Sequence, residues 1–150
     1  MTRIYLDNCC FNRPYDNQEN IKVQIETESK LYIQRKIKES QYSLVWSYIL
    51  EYENQSNPYM IRKEEILEWK KISTIIIKPS EEIFNRAEKL LSYNIKFKDA
   101  LHLSCAIEAK ADFFITTDTT GRGRGCNVEG EVRRTSTDCG VDSALLPGGD

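Results

Sequence analysis

No apolar stretch of the chain approaches the roughly 18 residues that a membrane span requires. The N-terminus also lacks a charged-then-apolar signal pattern with a small-residue cleavage site. A cytoplasmic protein is therefore expected. Cysteine is sparse and unpaired in its spacing: Cys9, Cys10, Cys105, Cys126 and Cys139 are odd in number and contain no C-x-x-C pair. That argues against both a secreted disulfide framework and a zinc site. Cys9 and Cys10 read as small apolar residues packed at a strand end. The chain has no surplus of positive charge, with a net charge of −2, so it is not a general magnet for nucleic acid. A local patch can still guide an anionic substrate, and bound cations offset acidic residues.

A second set of absences divides the chain. All seven glycines lie after residue 120, and that same stretch contains no Lys, Ile, Phe, Tyr or Trp. It cannot bury much apolar surface and shows neither helical nor strand periodicity, so residues 121–150 read as a disordered, Gly- and Arg-bearing tail. The shift has the composition of a changed reading frame or of a joined, unrelated segment. One short RGRG copy is weak support for an RNA-binding tail.

Residues 1–120 form one domain in which strand and helix signals alternate. Strands are expected at 3–7, 42–46, 74–78 and 113–117. Helices are expected at 19–38, from Tyr48, from the Asn57-Pro58 cap pair to about Ile72, from Ser80 to about Ser92, and over 98–110. On the first long helix, Ile21, Ile25, Tyr32 and Ile37 lie near one stripe. Strands separated by helices imply right-handed crossovers and a parallel sheet covered on both faces. Ligands then bind beyond the carboxyl ends of the strands.

Asp7 and Asp118 both end apolar strand runs, IYL and FFITT, and so converge on one rim if those strands are parallel. Glu53, on the helix after the second strand, and Asp99, at the start of the helix before the fourth, complete an acidic set there. Each has a plainer role available: Asp99 as a cap, Glu53 as a solvated residue competing with Glu51, Asp118 as a turn former. Asp7 resists such a reading, since the next long helix is a dozen residues away. Together the four would repel one another without cations. With divalent ions they become oxygen ligands suited to phosphodiester hydrolysis, favouring Mg²⁺ or Mn²⁺ over Zn²⁺. His102, three residues after Asp99, reads as a packing residue and stays outside the set.

The pieces IYLDNC, WSYILEYE, KDALHLSCA and ADFFITTD occur in the order found in PIN domains, and residues 1–118 resemble that family, including toxins of the VapC type. The resemblance implies a PIN-like three-layer α/β/α fold with a central parallel sheet. It implies Asp7, Glu53, Asp99 and Asp118 as the metal-binding set, with the Ser47-to-Glu53 spacing selecting Glu53 over Glu51. It further implies cleavage of single-stranded RNA, homodimers and a partner antitoxin. The chain departs from the family after Asp118, where the final helix and strand are expected to be missing or replaced; if the tail does not replace them, a sheet edge is exposed. Two other readings compete. One is a degenerate PIN fold that binds RNA or a protein without cleavage. The other is a phosphate-transferring enzyme with Asp7 as nucleophile, disfavoured because Cys9 stands where a D-x-D motif needs its second acid.

Overall fold

The computed structural model describes residues 1–116 together with the strand segments 133–136 and 142–145. The chain runs β1 (Thr2–Leu6), α1 (Asn8–Asn12), a 3₁₀ turn (Arg13–Tyr15), α2 (Ile21–Lys38), β2 (Tyr42–Ser47), α3 (Tyr48–Gln55) and α4 (Met60–Ile72). It continues with β3 (Ile75–Ile77), α5 (Glu81–Leu90), α6 (Phe97–Glu108), β4 (Phe113–Thr116), β5 (Arg133–Ser136) and β6 (Asp142–Leu145). The fold is a three-layer α/β/α arrangement around a parallel core sheet. Strand order is β3-β2-β1-β4-β6-β5: the first four strands are parallel, while β6 runs antiparallel to β4 and β5 antiparallel to β6.

This order sets the two faces. The crossovers β1→β2 and β2→β3 move in one direction, and the return from β3 to β4 moves in the other. With right-handed crossovers, α1–α4 cover one face and α5–α6 the other. Side chains follow from register. Ile4 pairs with Leu44 and Tyr5 with Val45, and paired residues in a parallel ladder share a face. Trp46, on the Leu44 side, packs edge-on against Phe11 of α1, and Phe11 in turn meets Trp69 of α4. Tyr5, on the Val45 side, faces His102 of α6 and stacks on Phe114. The core thus splits into two apolar layers, anchored by fully buried Trp46 and Phe11 on one side and Tyr5 on the other.

Caps explain several boundaries. The Ser47 and Ser80 hydroxyls accept from Leu50 N and Ile83 N, starting α3 and α5 where the sequence places them. Asn57 does not cap α4. Its Oδ1 accepts from Tyr59 N and its Nδ2 donates to Asn12 Oδ1, so the residue ties the segment to α1 and the helix begins at Met60.

The apolar stripe expected on α2 is a correction. Ile21, Ile25 and Tyr32 are exposed, and of the four only Ile37 is buried. The inner face carries Glu26, Thr27, Lys30 and Gln34 instead. Those positions repeat at helical spacing; Glu26 meets Arg13, and the Lys30 ammonium lies over the Phe11 ring.

The edge of β4, which would be bare if nothing replaced the final strand, is paired by β6 through Phe113–Thr116. The expectation of a disordered tail over 121–150 falls otherwise on positions outside the described residues. Among the described residues, no helix is long and apolar enough to cross a membrane.

Candidate metal centre

The site forms where β1 and β2 end. Asp7 follows Leu6 in extended conformation and lies two residues beyond Tyr5, so it continues the face that looks toward α6. Its backbone still belongs to the ladder, with Asp7 N donating to Ile115 O at 3.0 Å. The carboxylate has a local duty that the sequence reading did not foresee. It caps the short helix α1, Oδ1 accepting from Asn8 N at 2.6 Å. Oδ2 accepts from the Thr116 hydroxyl at 2.9 Å, and the half-buried Cys9 thiol lies 3.5 Å away. A buried carboxylate with this many donors is held in one orientation, and capping does not consume all its acceptor capacity.

Glu53 reaches the same place from α3, whose start is fixed by the Ser47 cap. Its rival Glu51, two residues earlier, points elsewhere and pairs with Lys70 at 2.9 Å. The centre between Asp7 and Glu53 is filled by His102. Its Nε2 lies 2.8 Å from Glu53 Oε1 and 3.4 Å from Asp7 Oδ1. The other ring nitrogen, Nδ1, sits 2.6 Å from the Tyr5 hydroxyl, which lies 2.6 Å from Ser47 Oγ. His102, Tyr5 and Ser47 are all buried.

Electrostatics follow from that placement. Burial pulls the His102 pKa down, but the hydrogen bond to Glu53 and the charges of Asp7, Glu53 and Asp99 outweigh it, leaving the imidazole above its ordinary value. Burial likewise pushes the Tyr5 phenol well above its usual range, so it stays neutral.

Asp7, Glu53 and His102 each offer one ligand atom, all within 4.8 Å of one another. Two carboxylates and an imidazole form a donor set that fits a divalent cation. Asp99 is half-buried in the first turn of α6; its charge acts on His102, but it stands outside this trio. Asp118 lies outside the described residues. Arg13, in the 3₁₀ turn after α1, pairs with Glu26 at 2.6 Å and Asp16 at 3.3 Å.

Sequence reasoning set His102 aside, and the structure places it in the cluster with Asp7 and Glu53. The available signal was its i+3 spacing from Asp99 on one helix face. It was outweighed because a lone helical histidine usually packs or bonds locally. No known family model matches the chain, and no curated protein matches it.

Proposed function

We propose that this chain is a metal-dependent endoribonuclease of PIN type that hydrolyses single-stranded RNA in the cytoplasm. The observation that carries the reading is the meeting of Asp7, from the end of β1, with Glu53, from α3, at the carboxyl ends of parallel strands. Asp7 and Glu53 would hold the cation, with Asp99 on the same rim and Asp118 completing the acidic set by resemblance. A bound Mg²⁺ or Mn²⁺ supplies Lewis-acid activation of water and neutralises charge on the scissile phosphate. The protein's own part is to hold the carboxylates in place: Thr116 and Asn8 N orient Asp7, while the Ser47 cap orients α3 and hence Glu53. The buried thiols of Cys10 and Cys105 suit a reducing compartment. The same resemblance supplies the proposed partners, an antitoxin protein and a second copy of the chain.

A noncatalytic reading has one observation in its favour. His102 Nε2 bridges both carboxylates, so the cluster is satisfied within the protein without a cation. One assay separates the two: full-length protein with labelled single-stranded RNA in Mn²⁺, in Mg²⁺, and in EDTA. The nuclease reading expects cleavage with Mn²⁺ or Mg²⁺, its loss in EDTA and its return with excess metal. RNA left intact under every cation, with RNA still retained in a binding assay, sinks it in favour of the second.

A further inference from the structure

His102 occupies the position a ligand would take, and its surroundings are built as a ligand's second shell. We infer that His102 is itself a ligand of the cation site, making it a two-carboxylate, one-imidazole centre that prefers Mn²⁺ to Mg²⁺, with Tyr5 as the residue that positions the ring. The inference rests on the metal-binding half of the proposed function and is independent of whether RNA is the substrate.

The separations support it. Donors on adjacent corners of an octahedron with bonds of about 2.1 Å stand roughly 3.0 Å apart. The His102 Nε2 distances of 2.8 Å to Glu53 and 3.4 Å to Asp7 bracket that edge, and all three ligand atoms lie within 4.8 Å of one another.

The second support is the other side of the ring. Histidines that bind metals almost always give their remaining N–H to an oxygen acceptor, which fixes tautomer and orientation. Tyr5 Oη, 2.6 Å from Nδ1, is placed to serve as such an acceptor when Nδ1 carries the proton. It is anchored in turn: Tyr5 Oη lies 2.6 Å from Ser47 Oγ, which accepts from Leu50 N. Cation binding would displace the Nε2 proton that Glu53 accepts in its absence; with the remaining proton on Nδ1, the Nε2 lone pair points into the gap between Asp7 and Glu53. The ring has little room to turn, being 1% exposed and packed edge-on against Tyr5 at 5.8 Å between centroids.

The preference among ions follows from ligand type. Mg²⁺ favours all-oxygen surroundings and gives up water reluctantly, whereas first-row transition ions accept imidazole readily. Replacing one carboxylate of an all-acid set by an imidazole therefore shifts selection from Mg²⁺ toward Mn²⁺.

The chain contains a single histidine, which makes the test direct. Untagged full-length protein is loaded with Mn²⁺ alone, without RNA, and examined by electron spin-echo spectroscopy for nitrogen coupled to the ion. Any imidazole coupling must come from His102. The expected result is clear ¹⁴N modulation in the unsubstituted protein and its loss in His102→Gln. Mn²⁺ should bind at least about tenfold more tightly than Mg²⁺, and Tyr5→Phe should weaken Mn²⁺ binding by about tenfold. Bound Mn²⁺ without nitrogen modulation overturns the inference and leaves His102 a hydrogen-bond donor. Because the unsubstituted protein gives that answer, a variant that fails to fold cannot hide it. Failure to bind Mn²⁺ at all overturns this inference and the metal half of the proposed function together. Nitrogen-coupled Mn²⁺ with RNA left intact supports the inference and defeats only the nuclease reading.

Discussion

Asp7→Asn is expected to lower metal-dependent RNA cleavage on the order of 10³-fold while leaving the fold in place. The two halves of that expectation come from different atoms. An asparagine Oδ1 can still accept from Asn8 N, and Asn ranks with Asp as a cap, so α1 should persist and the unfolding midpoint should move little. What disappears is the negative charge that Thr116 and Asn8 hold toward Glu53 and His102. Glu53→Gln should fall in the same way. Glu51→Gln is the internal control: Glu51 is occupied with Lys70, and its loss should leave cleavage unchanged. Single-turnover cleavage and thermal unfolding on the three variants decide the matter. Turnover of Asp7→Asn near the unsubstituted rate would remove Asp7 from the mechanism, and equal losses at Glu51 and Glu53 would remove the geometric distinction between them.

Much of this arrangement can be read from local chemistry. The β-branched and apolar runs, the Ser47 and Ser80 caps and the alternation of elements are short-range signals, and they place β1, β2, α3 and α5 within a residue or two. Asp7 at a strand's carboxyl end follows from the same reading, whereas the choice of Glu53 over Glu51 rests on the resemblance to PIN domains. His102 follows from neither, because its role depends on a long-range coincidence. Tyr5 shares a sheet face with Val45 and hence with Ser47, two residues further on, and only that register brings the phenol to both Ser47 and α6. The cap made by Asp7 was hidden for a different reason: NCCFN carries no strong helix signal, and α1 exists as one short turn between Asp7 and Arg13. On α2 the apolar residues were a misleading guide. A helix that buries Glu26 and Lys30 while exposing Ile21 is unreadable without knowing that Arg13 and Phe11 lie beneath it.

Lys30→Met is expected to stabilise the protein at and below neutral pH, by about 1–3 kcal/mol, or roughly 3–10 °C in unfolding midpoint. Lys30 is 4% exposed on the inner face of α2, with its ammonium 5.0 Å from the centroid of the Phe11 ring. Burial lowers its pKa from 10.5 to about 7, against the smaller opposing pull of Cys10, Cys9 and Asp16. The ring also favours the charged form, but a cation over Phe is worth about 0.5–2 kcal/mol, less than the desolvation it opposes. The sign of the pH dependence follows. Below pH 7 both folded and unfolded chains carry the proton, and folding bears the full cost of burying the charge. Between about pH 7 and 10.5 the unfolded chain binds more protons than the folded one, so stability rises with pH. Methionine is a flexible, apolar side chain of similar reach and has no charge to desolvate. Its advantage should therefore be greatest near pH 6 and shrink steadily toward pH 10. Unfolding midpoints of the two proteins across that range test the point. A gain independent of pH would show that packing rather than the buried ammonium is responsible. A loss at pH 6 would show that the charge is compensated where it lies, and that the polar inner face of α2 contributes to stability rather than subtracting from it.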